Sequence, residues 1–152
     1  MRLWIALILA LLAAPLQAFS LDAFEGRWRG EGGMVLNAEP EQRFRCRIRL
    51  RQIDPGQSFF TGRCATSQAA QSFTYMLFET SDGRLRAENT ASVESNLPLV
   101  MLGQASDGLL RLHAEEDAMF ELQLTAGALQ FRMEGEGDQG FARGIAHLTR
   151  RD

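Results

Sequence analysis

Two histidines, His113 and His147, are the scarcest groups in this sequence that could bind a metal or move a proton. Each falls in a segment that alternates like a strand. Neither has a second histidine or cysteine two or four residues away. A metal site needs several such groups converging, so a surface or rim role is expected for both, and no metal or cofactor is assigned. The run Glu115-Glu116-Asp117 reads as a solvated turn, with Ca²⁺ binding as the sharper alternative. Nucleophile elbows, H-E-x-x-H helices and glycine-rich loops leading into helices are all missing from the sequence. The chemistry-bearing residues therefore point away from an enzyme.

The other group that could act is a row of arginines. Residues 43–51 read RFRCRIRLR, with Arg43, Arg45, Arg47, Arg49 and Arg51 at every second position. Strict alternation marks a half-buried strand, with Phe44, Cys46, Ile48 and Leu50 facing in and the arginines facing out. A hairpin loop centred near Glu39-Pro40 would set Glu31 opposite Arg49 and Arg29 opposite Arg51. Arg63 would lie opposite Arg47 on the other side. The resulting patch is Arg29, Arg45, Arg47, Arg51 and Arg63, with little acid inside it. One reading is a wet strand whose arginine stems shield the sheet. The other is a docking face for an acidic protein or an anionic envelope component.

Turn signals recur between the alternating segments. Asp54-Pro55-Gly56 is a strong turn. With Ile53 paired to Gln57, Leu50 faces Phe60, Ile48 faces Gly62, and Cys46 faces Cys64. Turn chemistry and cysteine placement thus agree on one hairpin and on a Cys46–Cys64 disulfide. Closing that loop should contribute about 3 kcal/mol. Asp82-Gly83 as a two-residue loop would place Glu79 opposite Arg86 and Phe78 opposite Ala87. Asp107-Gly108 places Gln104 opposite Arg111. Ala126-Gly127 places Leu124, Leu122 and Glu121 opposite Leu129, Phe131 and Arg132. Residues 109–122 contain many helix formers, so a helix is the alternative, but the clean alternation of Phe120, Leu122 and Leu124 favours two strands with a turn near Glu116-Asp117; residues 89–98 read as a loop. The expected fold is all-β, with eight to ten antiparallel strands in an up-and-down barrel, because closure removes sheet edges. Phe44, Phe60, Phe78, Met101, Phe120, Phe131 and Met133 fall on the inward faces, and their bulk favours a filled interior.

The N-terminus supplies the compartment. Met1-Arg2, an apolar run from Leu3 to Leu16 and then Gln17-Ala18 follow the order of a secretory signal peptide. Residues 1–18 are expected to be cleaved, with cleavage after Ser20 as the rival. Residues 19–152 then form a single domain in a periplasm or outside the cell, with no transmembrane anchor. Removing 18 of 152 residues leaves 134, and loss of Arg2 takes the formal net charge from −3 to −4. All sixteen basic residues are arginine, read as the coding bias of a GC-rich bacterium. An acidic exported chain is a poor candidate for nucleic-acid binding.

FEGRWRGEG near the mature N-terminus contains Gly26-Arg27-Trp28. This resembles the G-x-W signature that opens the first strand of calycin barrels, the lipocalins and their relatives. The resemblance implies that Gly26 and Trp28 belong to a plug at one barrel end, with Arg150 or Arg151 packed across the indole. Residues 24–66 also resemble, in layout, the small exported barrels that inhibit bacterial metalloproteases, which carry one disulfide between neighbouring strands. Those proteins insert an N-terminal segment into the protease cleft; here that segment would be Phe19 to Phe24. The pattern G-x-W-x-G…C-R…G-x-C-A is similar as well to small exported proteins of Gram-negative bacteria. No catalytic residue comes with any of these resemblances. The expectation is a non-enzymatic exported barrel that binds a small apolar ligand or docks an anionic envelope partner. A protease inhibitor and a structural envelope protein are the alternatives. A through-going apolar cavity near Trp28 would mark the ligand reading.

Overall fold

A computed structural model describes residues 21–91, 96–115, 118–137 and 139–152. The signal-peptide segment and the Glu116-Asp117 turn lie outside them. A 3₁₀ turn, Leu21–Phe24, leads into β1 (Gly26–Leu36). The strands that follow are β2 (Gln42–Asp54), β3 (Gln57–Ala65), β4 (Ala70–Glu79), β5 (Arg84–Asn89) and β6 (Val100–Ser106). The last four are β7 (Leu109–His113), β8 (Met119–Thr125), β9 (Ala128–Gly137) and β10 (Gly140–Arg151). Each strand pairs antiparallel with its sequence neighbour, and β10 closes on β1. The ten strands of the described residues therefore make a closed up-and-down barrel.

The alternation of β2 sets the pattern. Phe44, Cys46, Ile48 and Leu50 are buried, and the arginines between them are exposed. Cys46 lies directly opposite Cys64, and the two form a disulfide. Inside, Phe60, Phe73, Tyr75, Phe120 and Phe131 pack as a ring cluster with centroids 4.9–6.4 Å apart. Edge-to-face and tilted pairs of this kind add to area burial. Gly62 leaves the space in which the Phe73 ring lies; a Cβ there would collide with it.

Three expected registers shift. Asp54, not Ile53, pairs with Gln57, and Ile53 bulges out beside a tighter Pro55-Gly56 turn. In the first hairpin Glu31 lies opposite Arg45 and Arg29 opposite Arg47. The chain turns earlier than expected because Asn37 takes a left-handed φ of 53° and the Glu39 amide bonds the Leu36 carbonyl. The Asn37 side chain fixes that corner by donating to the Gln139 carbonyl and accepting from the Phe141 amide.

In the β4–β5 hairpin the turn holds one residue more than the tight loop expected. Thr80 bonds back to the Arg84 carbonyl, and Gly83 takes a φ of 78°. The slip puts Phe78 opposite Arg86 and Leu77 opposite Ala87. A one-residue slip exchanges the two faces of a strand. Phe78 is accordingly half-buried on the outside, while Phe73, Tyr75 and Leu77 face in. The Asp107-Gly108 and Ala126-Gly127 hairpins pair as the alternation predicts.

Candidate functional site

The two barrel ends are built differently. At one end the connections are tight, with glycine at positive φ in each: Gly56, Gly83, Gly108 and Gly127. The 3₁₀ turn closes this end, burying Leu21 and Phe24. Trp28 is buried there, and its indole N–H donates to the Phe24 carbonyl at 2.8 Å. The Arg150 guanidinium carbon sits 4.7 Å from the Trp28 ring centroid, and Arg150 also donates to the Ala23 carbonyl at 3.2 Å. Gly26 packs beside the Arg150 side chain with a φ of 130°. Arg151, one residue on, points the other way, opposite Arg27 on the outer face.

The opposite end is open. The loops after β1, β3, β5, β7 and β9 surround it, and a cavity of about 340 Å³ descends between them. Met34, Phe44, Leu97, Met101, Phe120 and Met133 give it apolar walls. The aromatic cluster is its floor, since Phe120 belongs to both. The interior is therefore filled in its lower part and open above. The cavity lies away from Trp28, because the 3₁₀ turn fills the other end. Pockets of binding proteins typically span about 300–1,000 Å³ with apolar walls and few polar groups.

Two polar groups stand out on the inward faces, Gln42 in the cavity wall and Tyr75 in the packed core below it. Tyr75 is buried, and its hydroxyl donates to the Pro98 carbonyl at 2.8 Å, tying the loop before β6 to the barrel. Burial pushes the Tyr75 phenol up to about 12. Gln42 occupies the inward position of β2 nearest the mouth, and its side-chain oxygen is buried without a hydrogen-bond partner among the described residues. Neither residue was expected from its type. Alternation alone could have found Gln42, which is two residues before Phe44 on the same face.

The arginine face is organised by the first-hairpin register. Arg29, Arg47 and Arg63 stand side by side on β1, β2 and β3. Thr149 and Ser72 flank them, and Arg63 donates to the Ser72 hydroxyl at 3.2 Å. Glu31 binds Arg43 through three contacts of 2.5, 2.7 and 2.9 Å and lies 3.7 Å from Arg45. Arg45 therefore stays beside the row but shares an acid. Arg51, expected within the patch, sits farther along β2 opposite Phe59. Arg151 takes its place around the shallow hollow formed by Arg29, Arg45, Arg47 and Arg63. Among the described residues, Arg29, Arg47 and Arg63 make no ion pair with a carboxylate. His147 borders this hollow beside Glu31, whereas His113 lies on β7 next to Leu102, so the histidines are not brought together.

A closed antiparallel barrel with a plugged end and an open mouth is the architecture of calycin-like proteins, and this chain has that fold. It is similar to Rv2717c from M. tuberculosis, with a TM-score of 0.60 at 13% identity over 91% of this chain and 99% of that one. It is also similar to the S-type phycobiliprotein lyase CPES from Guillardia theta. There the TM-score is 0.55 at 10% identity, over 87% of this chain and 90% of the lyase. Zebrafish ileal bile acid-binding protein, solved with cholic acid, gives a TM-score of 0.45 at 11% identity, over 85% and 99% of the two chains. No family model matches the sequence, and no curated protein matches it.

Proposed function

We propose that this protein is a non-catalytic, exported barrel that binds a small apolar molecule in its open mouth. The cavity of about 340 Å³ above the aromatic cluster is the observation that carries this reading. Its apolar walls can take part of an apolar ligand's surface out of water, which is worth roughly 25 cal/mol per Å² buried. A disulfide between buried cysteines and the signal-like N-terminus support a periplasmic or secreted location in a Gram-negative bacterium. Native mass spectrometry of the protein purified from its own envelope tests the reading. One small apolar molecule per chain is expected, and a bare chain mass from every preparation would contradict it.

A second reading concerns the outer surface. The row Arg29–Arg47–Arg63, with no acid interleaved, supports docking to an anionic envelope component. Opposite charges would normally be interspersed on a merely solvated strand. Protease inhibition is less well supported. Leu21 and Phe24 are buried in closing the barrel, so this part of the N-terminal segment is not free to enter a protease cleft. A purely structural role leaves the cavity without a purpose.

A further inference from the structure

We infer that the mouth selects an uncharged apolar molecule that carries a hydrogen-bond donor, such as a hydroxyl, and that Gln42 is the residue that recognises it. This rests on the ligand-binding reading of the cavity. Three observations carry it. Gln42 lines the cavity from the inward position of β2, and its side-chain oxygen is buried and unpartnered among the described residues. A buried acceptor left without a partner is costly, and such groups usually have a partner in the working state of a protein. A ligand hydroxyl or amide N–H would supply it.

The second observation is the charge of the lining. The chain has sixteen arginines, yet no described residue lining the cavity is an arginine or a histidine. Residues 92–95, 116–117 and 138 contain none either. The lining residues that ionise as acids, Glu134 and Glu136, occupy outward positions of β9 at the lip. A carboxylate or phosphate head drawn into this mouth would lose its hydration and meet no cation, which is strongly unfavourable.

The third observation is the neutral polar character of the rim. Thr66, Gln68, Gln71, Asn96 and Gln139 surround the opening. They can solvate an uncharged head and offer nothing specific to an ion. The arginines instead crowd the outer face of β1 to β3, where they cannot reach a ligand inside.

Matched ten-carbon probes test this: decanol, nonyl methyl ether, which accepts but cannot donate, and decanoate. Affinities are measured by calorimetry on the purified wild-type protein and on Gln42→Leu and Gln42→Glu. Decanol is expected to bind roughly tenfold tighter than the ether, in line with one net hydrogen bond, and decanoate weakest of all. Gln42→Leu should erase the alcohol's advantage over the ether, so that the ratio of the two affinities falls to about one or below. It should also raise the thermal midpoint of the unliganded protein, because the orphan acceptor is gone. Gln42→Glu, which keeps an acceptor, should retain preference for the alcohol. Equal binding of alcohol and ether to the wild type, or tightest binding of decanoate, would overturn the inference while leaving the cavity's role intact. Failure of all three probes to bind would instead count against the ligand-binding reading itself.

Discussion

Arg150 and Trp28 face each other across the β1–β10 ladder, with the guanidinium carbon 4.7 Å from the indole centroid. The indole is held by its bond to the Phe24 carbonyl, and the guanidinium by its bond to the Ala23 carbonyl. One pair thus fastens the 3₁₀ turn to β10 over the closed end of the barrel. Arg150→Met, which keeps the aliphatic stem, is expected to destabilise by about 1 kcal/mol from the lost cation–π contact. Trp4 lies within residues 1–18, so Trp28 is the one tryptophan of a chain beginning at residue 19. Its emission should shift to longer wavelength in the variant. Unfolding in urea together with tryptophan emission checks both effects.

The Cys46–Cys64 bridge joins directly opposed positions of β2 and β3, and both residues are buried. Replacing both with alanine should lower unfolding free energy by about 3 kcal/mol, since the bridge closes a short loop of the unfolded chain. The barrel itself should persist, because closure depends on the whole strand circuit. Denaturant titration with far-ultraviolet circular dichroism measures the loss. An unchanged midpoint would assign the bridge no stabilising role.

Tyr75 is the one tyrosine of the chain, so its ionisation can be followed alone by absorbance near 295 nm. Burial raises the folded phenol to about 12, against about 10 in an unfolded chain. Below the unfolded value both states keep the proton, and stability is unaffected. Between those values the unfolded chain ionises first, so stability falls as pH rises through that window. Tyr75→Phe should remove this alkaline dependence and free the loop tied through Pro98. Hydrogen exchange in residues 96–99 should then accelerate.

Reversing two members of the arginine row, Arg47→Glu and Arg63→Glu, replaces exposed charges with little expected change in stability. Retention on vesicles containing anionic lipid should be abolished, and wild-type retention should weaken steeply with salt. Unchanged retention of the double variant would refute docking through this face.

The legible parts of the fold were those in which two local signals agreed. Alternation in RFRCRIRLR, the Asp54-Pro55-Gly56 turn and the cysteine spacing together fixed the β2–β3 pairing. The first hairpin failed because its corner is set by Asn37 reaching across to β10, a contact between distant parts of the chain. That failure displaced Arg51 from the arginine patch and brought Glu31 to Arg45. In the β4–β5 hairpin, Asp82-Gly83 suits a tight two-residue turn. The side chain of Asp82 instead bonds Thr80 and Arg84, which adds a residue to the loop. These bonds hold the Asp82 carboxyl down to about 2. The cavity was not legible at all. Whether large inward residues fill a barrel or leave a mouth depends on which end the loops and the 3₁₀ turn occupy.

Binding of an apolar molecule in the open mouth can be tested by filling that mouth. Ala142 lines that mouth from β10, and Ala142→Trp should fill it. Titration of N-phenyl-1-naphthylamine, a neutral fluorescent probe, into wild-type and variant proteins tests the claim most directly. The account predicts one probe bound per wild-type chain and binding weakened by more than about tenfold in the variant, with the barrel still folded. Equal binding to both proteins, or none to a wild type freed of ligand, would contradict it.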